Sequence, residues 1–415
     1  MAVFCGVDWA EGHHDIALVD QDGALVAKKR IADDPGGLAE LIGLLAEAGD
    51  TAADPIPVAI ETSRGLLVAG LRATGRPVYA INPMAVARYR ERHTVSRSKS
   101  DHADAMTLAN ILRTDAHAHR TLPADSELAQ AIAVLARAQQ DATWRRTKAS
   151  NELRSLLREY FPVFLAAFAA KTGSALATAE ARAVLAVAPT PTAAAKLSKA
   201  RIATALRRAG RKRRIEATAT ELHAALRQPQ LHQPELVEQA MGRQALALLA
   251  TLNAECTNVD ELAEQTAAAF AQHPDYAIIT SFPGLADATG ARVLAEIGDD
   301  RARFADARAL KAYAGSAPIT RASGRSISIT WRRVKNDRLA AAGWLWAFIA
   351  ATHAAPAKAH YRRRREHGDR HAAALRNLFN RLLGQLYHCL QTGQTYDEAK
   401  AFPNPIDTPT LAAAA

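Results

Sequence analysis

The order of short apolar segments and helical patterns in the N-terminal third restricts the fold more than any other feature of this chain. Three apolar runs separated by short connections rich in turn residues predict an antiparallel meander of strands at 3–9, 14–19 and 24–31. The elements predicted after the meander are a helix at 36–48, a strand at 57–60, a helix at 63–74, a strand at 77–81 and a helical pattern from Asp101. We interpret His13 and His14 as residues of a solvated turn.

This order, β-β-β-α-β-α-β-α, is that of the ribonuclease H-like fold. In such a fold Asp8 lies within the sheet on the first strand, Glu61 ends the adjacent parallel strand, and the helix from Asp101 packs across their edge. Asp101 and Asp104 are three residues apart, so they share one face of that helix. Carboxylates bind Mg²⁺ well and leave coordination positions for a substrate phosphate. The sequence therefore predicts a Mg²⁺ site formed by four acids.

Each of these acids also has a simpler interpretation. Asp8 can be a solvated acid at a strand end, and Glu61 can cap the helix that follows it. Asp101 and Asp104 can be acids in a first helical turn, where they favour the helix dipole. This fold would bring all four acids to one place, and that coincidence favours the metal site over four separate simpler roles.

The charge of the chain predicts a polyanionic partner. Lys and Arg total 52 against 42 Asp and Glu, which gives a net charge of +10 and a pI near 9.7. Nucleic acid is favoured over a membrane, because the sequence has no uncharged apolar run of spanning length. The N-terminus does not resemble a secretory signal, and three widely spaced cysteines form neither a zinc pattern nor a disulfide framework. We therefore expect a cytoplasmic protein.

Basic residues are concentrated in a few segments. Residues 88–99 are predicted to form a basic loop with interleaved hydroxyls, and 207–214 is the densest basic run. The alternative for both is an ordinary solvated surface. The predicted nucleic-acid contacts are Arg88, Arg90, Arg97, Lys99, Arg211, Lys212, Arg213, Arg214, Gly284, Arg321, Arg325, Arg332 and Arg333.

The middle of the chain is predicted to be helical. Heptad-like leucine patterns at 126–167 and 236–270 indicate two long helices, which suit an antiparallel arm that also serves in oligomerisation. Alanine-rich helical pieces interrupted by Pro189 and Pro191 lie between them.

The C-terminal part contains a second set of candidate features. The sequence from Pro283 to Gly298 has the helix-hairpin-helix pattern, whose turn at Gly284 would bind a phosphate without reading sequence. Residues 315–329 are predicted to form a loop, in which Ser323 alone would be only a turn residue. The apolar helix 339–351, with Trp344, Trp346 and Phe348, is interpreted as core.

Taken together, these motifs resemble the IS110/IS1111-type (IS116/IS110/IS902) insertion-sequence transposases. The N-terminal part carries a DEDD pattern in VFCGVDWA, VAIETSRG and SDHADA, and the C-terminal part carries the transposase motif from SFPGLADATGARVLAEIGD through RFADARALKAYAGSAP to RASGRS. The resemblance implies a RuvC-like domain with Mg²⁺ on Asp8, Glu61, Asp101 and Asp104. It also implies a covalent step through Ser323, a homo-oligomer (dimer or tetramer) in which different protomers supply serine and acids, and a structured guide RNA beside the DNA.

The expected architecture is α/β plus α. We predict a RuvC-like domain at 1–123, a helical coiled-coil arm at 124–272, a mainly helical domain with the helix-hairpin-helix and serine loop at 273–402, and a disordered tail at 403–415. Ser316, Ser326 and Ser328 lie near Ser323, so a shift of register would move the nucleophile. Two other functions stay open: a water-using RuvC-like nuclease or junction resolvase, and an inactive nucleic-acid scaffold, which the four retained acids disfavour.

Overall fold

The computed structural model describes residues 2–93, 101–169, 175–324 and 326–402, without the side chains of His93, Asp101, His102 and Ala175. The chain divides into two compact units, Met1–Ala124 and Asp125–Ala415. The first is mixed α/β with a central sheet, and the second is mostly helical, so this part of the predicted fold class is confirmed.

A five-stranded sheet forms the centre of the first unit. Its order is β3-β2-β1-β4-β5, in which β1, β2 and β3 are antiparallel neighbours while β4 and β5 run parallel to β1. The strands are β1 (Val3–Trp9), β2 (His13–Asp20), β3 (Leu25–Ala32), β4 (Val58–Ile60) and β5 (Val78–Ala80). The predicted meander is therefore confirmed.

Helices cover both faces of this sheet. They are α1 (Pro35–Glu47), α2 (Leu66–Ala73), α3 (Pro83–His93) and α4 (Asp101–Asp115), and a short 3₁₀ turn (Ala116–Ala118) follows α4. Cys5 and Val7 of β1 share a core with leucines of α1 and α2. Ala59 of β4 belongs to a different core, which includes Leu108 of α4. Successive residues of a strand point to opposite faces, so α1 and α2 lie on one side of the sheet and α3 and α4 on the other.

The sequence interpretation of the two adjacent histidines is wrong. His13 and His14 are not turn residues, because both belong to β2. His14 is fully buried, and its Nε2 atom lies 3.1 Å from Oδ1 of Asp33.

Two long antiparallel helices organise the second unit. They are α5 (Glu127–Tyr160) and α11 (Glu235–Ala271). Gln233, just before α11, donates to the carbonyl of Glu159 near the end of α5, and Arg145 pairs with Glu255 midway at 2.7 Å. The prediction of two long helices is therefore confirmed.

Short helices connect the two long ones. They are α6 (Pro162–Ala167), α7 (Ala179–Val187), α8 (Pro191–Ala195), α9 (Lys199–Arg208) and α10 (Ile215–Ala225), with a 3₁₀ turn at Ala175–Ala177. Their apolar side chains form a core with Leu157 of α5 and Leu249 of α11. This core closes one end of the long pair.

The C-terminal elements form a separate core at the other end of the long pair, where Ile132 and Phe270 join it. The elements are α12 (Tyr276–Thr280), α13 (Asp287–Ile297), α14 (Ala307–Tyr313), β6 (Ile319–Ser323), β7 (Ser326–Thr330), α15 (Asp337–His353), α16 (Ala355–Glu366), α17 (His371–Thr392) and α18 (Glu398–Ala401). Trp346 and Phe282 meet edge to face at 5.7 Å within this core.

A buried carboxylate fixes α13 against its neighbours. Glu296 accepts from Nε of Arg137 on α5 at 2.7 Å and from Nδ2 of Asn336, which caps α15, at 2.6 Å. Charged hydrogen bonds of this kind are strong, and a buried carboxylate requires them. Glu296 therefore ties three helices together.

The structure corrects the interpretation of α15 as entirely core. Trp346 is buried, but Trp344 and Phe348 are 47% and 44% exposed. Within the described ranges no single helix is both long and apolar enough to cross a membrane. Only α15 and α16 taken together, bent by 106°, meet those criteria of length and composition.

Candidate catalytic site

Asp8 and Glu61 are neighbours at the carboxyl ends of two parallel strands. Val7 of β1 pairs with Ile60 of β4; Asp8 follows Val7 within β1, and Glu61 directly follows the last residue of β4. Equivalent positions on adjacent parallel strands share a face, so both half-buried acids belong to the same side of the sheet.

Gly6 shows that this is the side covered by α4. A Cβ atom built on Gly6 would lie 2.0 Å from the carbonyl oxygen of Ala105 and 2.5 Å from the amide nitrogen of Ala109. Only glycine permits so close an approach of a helix backbone to a strand. Asp8 lies two residues beyond Gly6, so it shares the face of β1 that α4 covers.

The direction of α4 brings its first turn to the same end of the sheet. Arg113, near the end of α4, donates to the carbonyl of Gln21. Gln21 directly follows Asp20, and Asp20 pairs with Val3 at the start of β1. The last turns of α4 therefore lie by the beginning of β1, and its first turn lies towards Asp8.

Asp104, in this first turn, is buried and paired. Nη2 of Arg90 on α3 lies 2.5 Å from its Oδ1. Asp101 is the first residue of α4, and its side chain lies outside the described part of the structure. The fold thus directs Asp8, Glu61 and the start of α4 to one end of the sheet, and the meeting of all four acids there stays a prediction.

The acids supply suitable ligands for a divalent metal, but the described side chains do not by themselves form a complete set of ligands around one ion. Among the side chains that the structure describes, no three acids, histidines or cysteines are grouped closely enough to hold an ion. Carboxylate oxygens are nonetheless the donors that Mg²⁺ prefers, and Mg²⁺ ordinarily binds one or two of them and keeps other positions for water or phosphate. The donor set therefore fits such an ion.

The segment around Ser323 is a β-hairpin, so the prediction of a loop is wrong. Ser323 ends β6 and pairs with Ser326, the first residue of β7, across a tight turn in which Gly324 has φ +54°. The hydroxyl group of Ser323 belongs to an exposed residue at the hairpin tip. Arg321 pairs with Ser328 and shares the face of Ser323, because residues two apart on a strand point the same way.

The four candidate serines differ in environment. Ser316 is buried, and its Oγ lies 3.2 Å from the carbonyl of Lys311 and 3.0 Å from Oδ1 of Asn380. Ser323, Ser326 and Ser328 are all exposed on the hairpin. The accessible hydroxyl groups are therefore those of the hairpin.

The turn at Gly284 has a packing role. Gly284 has φ +90°, and a Cβ atom there would lie 3.0 Å from the carbonyl oxygen of Trp346 on α15. Nε1 of Trp346 donates to the carbonyl of Pro283 at 3.0 Å. At the adjoining start of α13, Asp287 accepts from the hydroxyl of Tyr276, which places an acid where a phosphate was predicted.

The predicted basic contacts are only partly available on the surface. Arg88 and Arg90 lie on α3 rather than in a loop, because the helix continues to His93. Arg211 and Arg214 lie 3.4 Å and 3.1 Å from glutamates of α7 and α10. The exposed members are Arg88, Lys212, Arg213, Arg214, Arg321 and Arg333, and Arg211 and Arg332 are half-buried. Arg97, Lys99 and Arg325 lie outside the described residues.

Sequence reasoning missed two features of this site. It did not identify Gly6, and it did not predict that Arg90 pairs with Asp104. A glycine inside a strand, two residues before a candidate acid, is itself a signal of close backbone approach. No local signal identifies the partner of Arg90, since 14 positions separate it from Asp104.

Comparison with known proteins gives consistent matches to one group. A family model for DEDD transposases of IS110 type, described as a transposase, matches residues 5–162, and a model described as "Transposase IS116/IS110/IS902 family" matches residues 276–362. The mini-circle putative transposase for IS117 of Streptomyces coelicolor is 60% identical over 415 residues, which cover all of this chain and 99% of that protein. The IS900 uncharacterized 42 kDa protein of Mycobacterium paratuberculosis is 28% identical over 402 residues, or 96% of this chain and 98% of that protein.

Proposed function

Because the chain belongs to the IS110 family of insertion-sequence transposases, we propose that it cuts and rejoins DNA by combining a metal-binding acid site with a serine nucleophile. The observation that carries this proposal is the placement of Asp8, Glu61 and the first turn of α4 at one end of the sheet. Family membership makes the chain a DNA-acting enzyme, and the finer chemistry is our proposal.

We assign the first unit to the RuvC-like class of ribonuclease H-like domains. Support comes from the strand order β3-β2-β1-β4-β5, with three antiparallel strands followed by two parallel ones, and from helices on both faces. We also propose functional domains at 1–123, 124–272 and 273–402. The separation of compact units after Ala124 supports the first boundary.

Asp8, Glu61, Asp101 and Asp104 would hold Mg²⁺. Bound there, Mg²⁺ would neutralise charge on the scissile phosphate and on the oxygens that attack and leave it. The Arg90 side chain neutralises Asp104 in the free protein, which lowers the repulsion among neighbouring carboxylates.

Ser323 is the proposed nucleophile. Its Oγ loses a proton and forms a bond to the phosphorus atom while the bond from phosphorus to the leaving DNA oxygen breaks. The leaving oxygen takes up a proton and departs as a hydroxyl group, so one strand end becomes a phosphoserine ester with no net change in protons. A serine hydroxyl group needs its proton removed and its oxygen placed. Arg321, on the same hairpin face, would hold the phosphate, and Arg325 shares this proposed role.

The partners we propose are the element's DNA ends and target, a structured guide RNA and further copies of the chain. The net charge of +10 supports nucleic-acid partners. The RNA and the homo-oligomer rest on resemblance to the family.

The test is the formation of a covalent adduct. Purified protein is incubated with element-end DNA, the adjoining non-coding RNA and Mg²⁺, and protein–DNA species that survive denaturation are separated by gel electrophoresis. We expect an adduct with the wild type and with Ser328→Ala, a matched control on the same exposed face, but none with Ser323→Ala. Asp8→Asn should abolish cleavage and adduct together.

Other outcomes would change the assignment. Cleavage without an adduct, unchanged in Ser323→Ala, would indicate a nuclease that uses water. An adduct that is lost in Ser328→Ala and kept in Ser323→Ala would move the nucleophile along the hairpin.

A further inference from the structure

Two aromatic side chains of α15 form an exposed stacked pair. Trp344 and Phe348 are one helical turn apart, with ring centroids 5.6 Å apart and ring planes within 5° of parallel. They are 47% and 44% exposed, whereas Trp346 between them is fully buried. Burying aromatic rings is strongly favourable, so two adjacent rings left in water indicate a surface that binds something.

Neighbouring rings hold this pair in place. The imidazole of His371, the first residue of α17, meets Trp344 edge to face at 6.5 Å. Tyr361 of α16 meets His371 in the same way at 5.8 Å, and its hydroxyl oxygen lies within hydrogen-bond distance of Nδ1 of His371, at 2.8 Å. The indole therefore lies against a ring whose orientation is fixed, and a preorganised surface loses little freedom on binding.

The surroundings of the pair are strongly basic. From α16 to the start of α17, six Lys and Arg residues are accompanied by two acids, and one of these, Asp369, is paired with Arg364 at 2.6 Å. The exposed basic residues are Lys358, Arg362, Arg363, Arg365 and Arg370. A polyanion is the partner that this charge complements.

We propose that Trp344 and Phe348 stack on an unpaired base of single-stranded nucleic acid while arginines of α16 contact its phosphates. Stacking on an aromatic ring combined with basic contacts to the backbone is the general chemistry of single-strand binding. A duplex does not fit, because its base faces are covered by neighbouring pairs. This site consists of other residues than the proposed acids and serine, and the inference does not depend on their chemistry. The nucleotide can belong to RNA or to DNA, which offer the same base and phosphate.

Binding of single strands to the full-length protein tests the proposal. Fluorescent oligouridine and oligothymidine strands of about 12 nucleotides, and a duplex of equal length, are titrated and followed by fluorescence anisotropy. Trp344→Leu should weaken single-strand binding about ten-fold and leave duplex binding unchanged, because it removes the ring but keeps an apolar side chain. Trp344→Phe keeps a ring and should retain most of the affinity.

Trp144→Leu is the matched control. Trp144 is 48% exposed, but the guanidinium of Arg338 lies over its ring at 5.1 Å, so no base can stack on that face. We expect this variant to bind single strands like the wild type. Strands that contain 5-iodouracil should crosslink to the peptide that holds Trp344 and Phe348 on irradiation, and Trp344→Leu should lose this crosslink.

The possible outcomes show which molecule binds the surface of Trp344 and Phe348. A preference for oligouridine would identify RNA, and equal binding would identify an unpaired nucleotide of either kind; both support the site. Unchanged single-strand binding in Trp344→Leu, or an equal loss for single strands and duplex, would overturn it. A change of molar mass in light scattering with Trp344→Leu, without loss of single-strand binding, would identify the surface as a contact between copies instead.

Discussion

Adding one methyl group at Gly6 should damage both stability and catalysis, because α4 has no room to accept it. The new Cβ atom would lie 2.0 Å from the carbonyl oxygen of Ala105, and real Cβ contacts below 3.0 Å essentially never occur. The helix must therefore retreat by roughly 1 Å, since the obstructing atoms belong to its backbone and no side chain can rotate away. Overpacking of this kind typically costs about 1–3 kcal/mol, and we expect Gly6→Ala to lie near the upper value.

The catalytic loss follows from the same displacement. The first turn of α4 carries the proposed metal ligands Asp101 and Asp104, and a misplacement of about 1 Å in a catalytic group can lower the rate roughly 100-fold. Hydrogen exchange at the amides of β1 and α4 measures the local stability within the full-length chain, and DNA cleavage in the presence of Mg²⁺ measures the proposed activity.

Gly43→Ala provides the matched control. Gly43 lies inside α1, and a Cβ atom there meets nothing within 4 Å. This change should stabilise the protein by about 0.5–1 kcal/mol, because alanine is the better helix former, and it should leave cleavage unchanged. If Gly6→Ala kept wild-type protection of α4 and wild-type cleavage, the close approach of α4 to β1 would be refuted.

Three further substitutions or treatments test other parts of the structure. Glu296→Gln should lower the free energy of unfolding by about 1–3 kcal/mol in urea titrations, because it removes the charge from a buried hydrogen-bonded carboxylate. Glu255→Gln is the comparison, and because its ion pair with Arg145 is more exposed, it should lower the free energy of unfolding by less than about 1 kcal/mol. Burial raises the pKa of Cys5 to about 12, so this thiol should resist iodoacetamide at about pH 8.5 in the native protein and react in urea, as mass spectrometry will show. Gly284→Ala should lower the melting temperature, because φ is +90° and α15 lies against the turn; an unchanged melting temperature would contradict the packing role.

The raised pKa of Cys5 also determines whether the free energy of unfolding rises or falls with pH. Burial raises the pKa of Cys5 to about 12 in the folded protein, whereas the pKa of this thiol in an unfolded chain is the ordinary value of 9.0. Stability from burial of the neutral thiol is therefore complete below that lower value and declines as pH rises towards the upper one. Cys5→Ala should flatten this alkaline decline in urea titrations, and an equally steep decline in that variant would assign it to other groups.

The sequence predicts the sheet well because its strands follow strict physical patterns. The antiparallel part follows from three apolar segments with short connections, and β4 and β5 follow from buried-type runs between helices. Asp8 and Glu61 could be placed together because parallel strands end at a common edge. The two long helices were predictable because their apolar positions recur over many turns.

Other features could not be predicted because local patterns do not determine them. Helix α15 is apolar on nearly every side, so its sequence cannot show that Trp344 faces water and Trp346 faces the core. The hairpin was mistaken for a loop because glycine and hydroxyl residues dominate it, although Ser326–Thr330 alternates polar and apolar residues with the period of a strand. The pairing of Arg90 with Asp104 depends on the packing of α3 against α4, which no motif encodes.

The exposure of the serine hairpin has a consequence for how this protein tolerates variation. All described residues of β6 and β7 except Ile319 are exposed, and Ile327 and Ile329 are 71% and 70% accessible to water. A lone two-stranded hairpin adds little to the stability of a folded domain. Screens that select for expression or heat resistance would therefore pass nearly every hairpin variant, including any that removes the proposed nucleophile. Natural inactive copies with substitutions there should remain well-folded proteins that still compete for the same DNA.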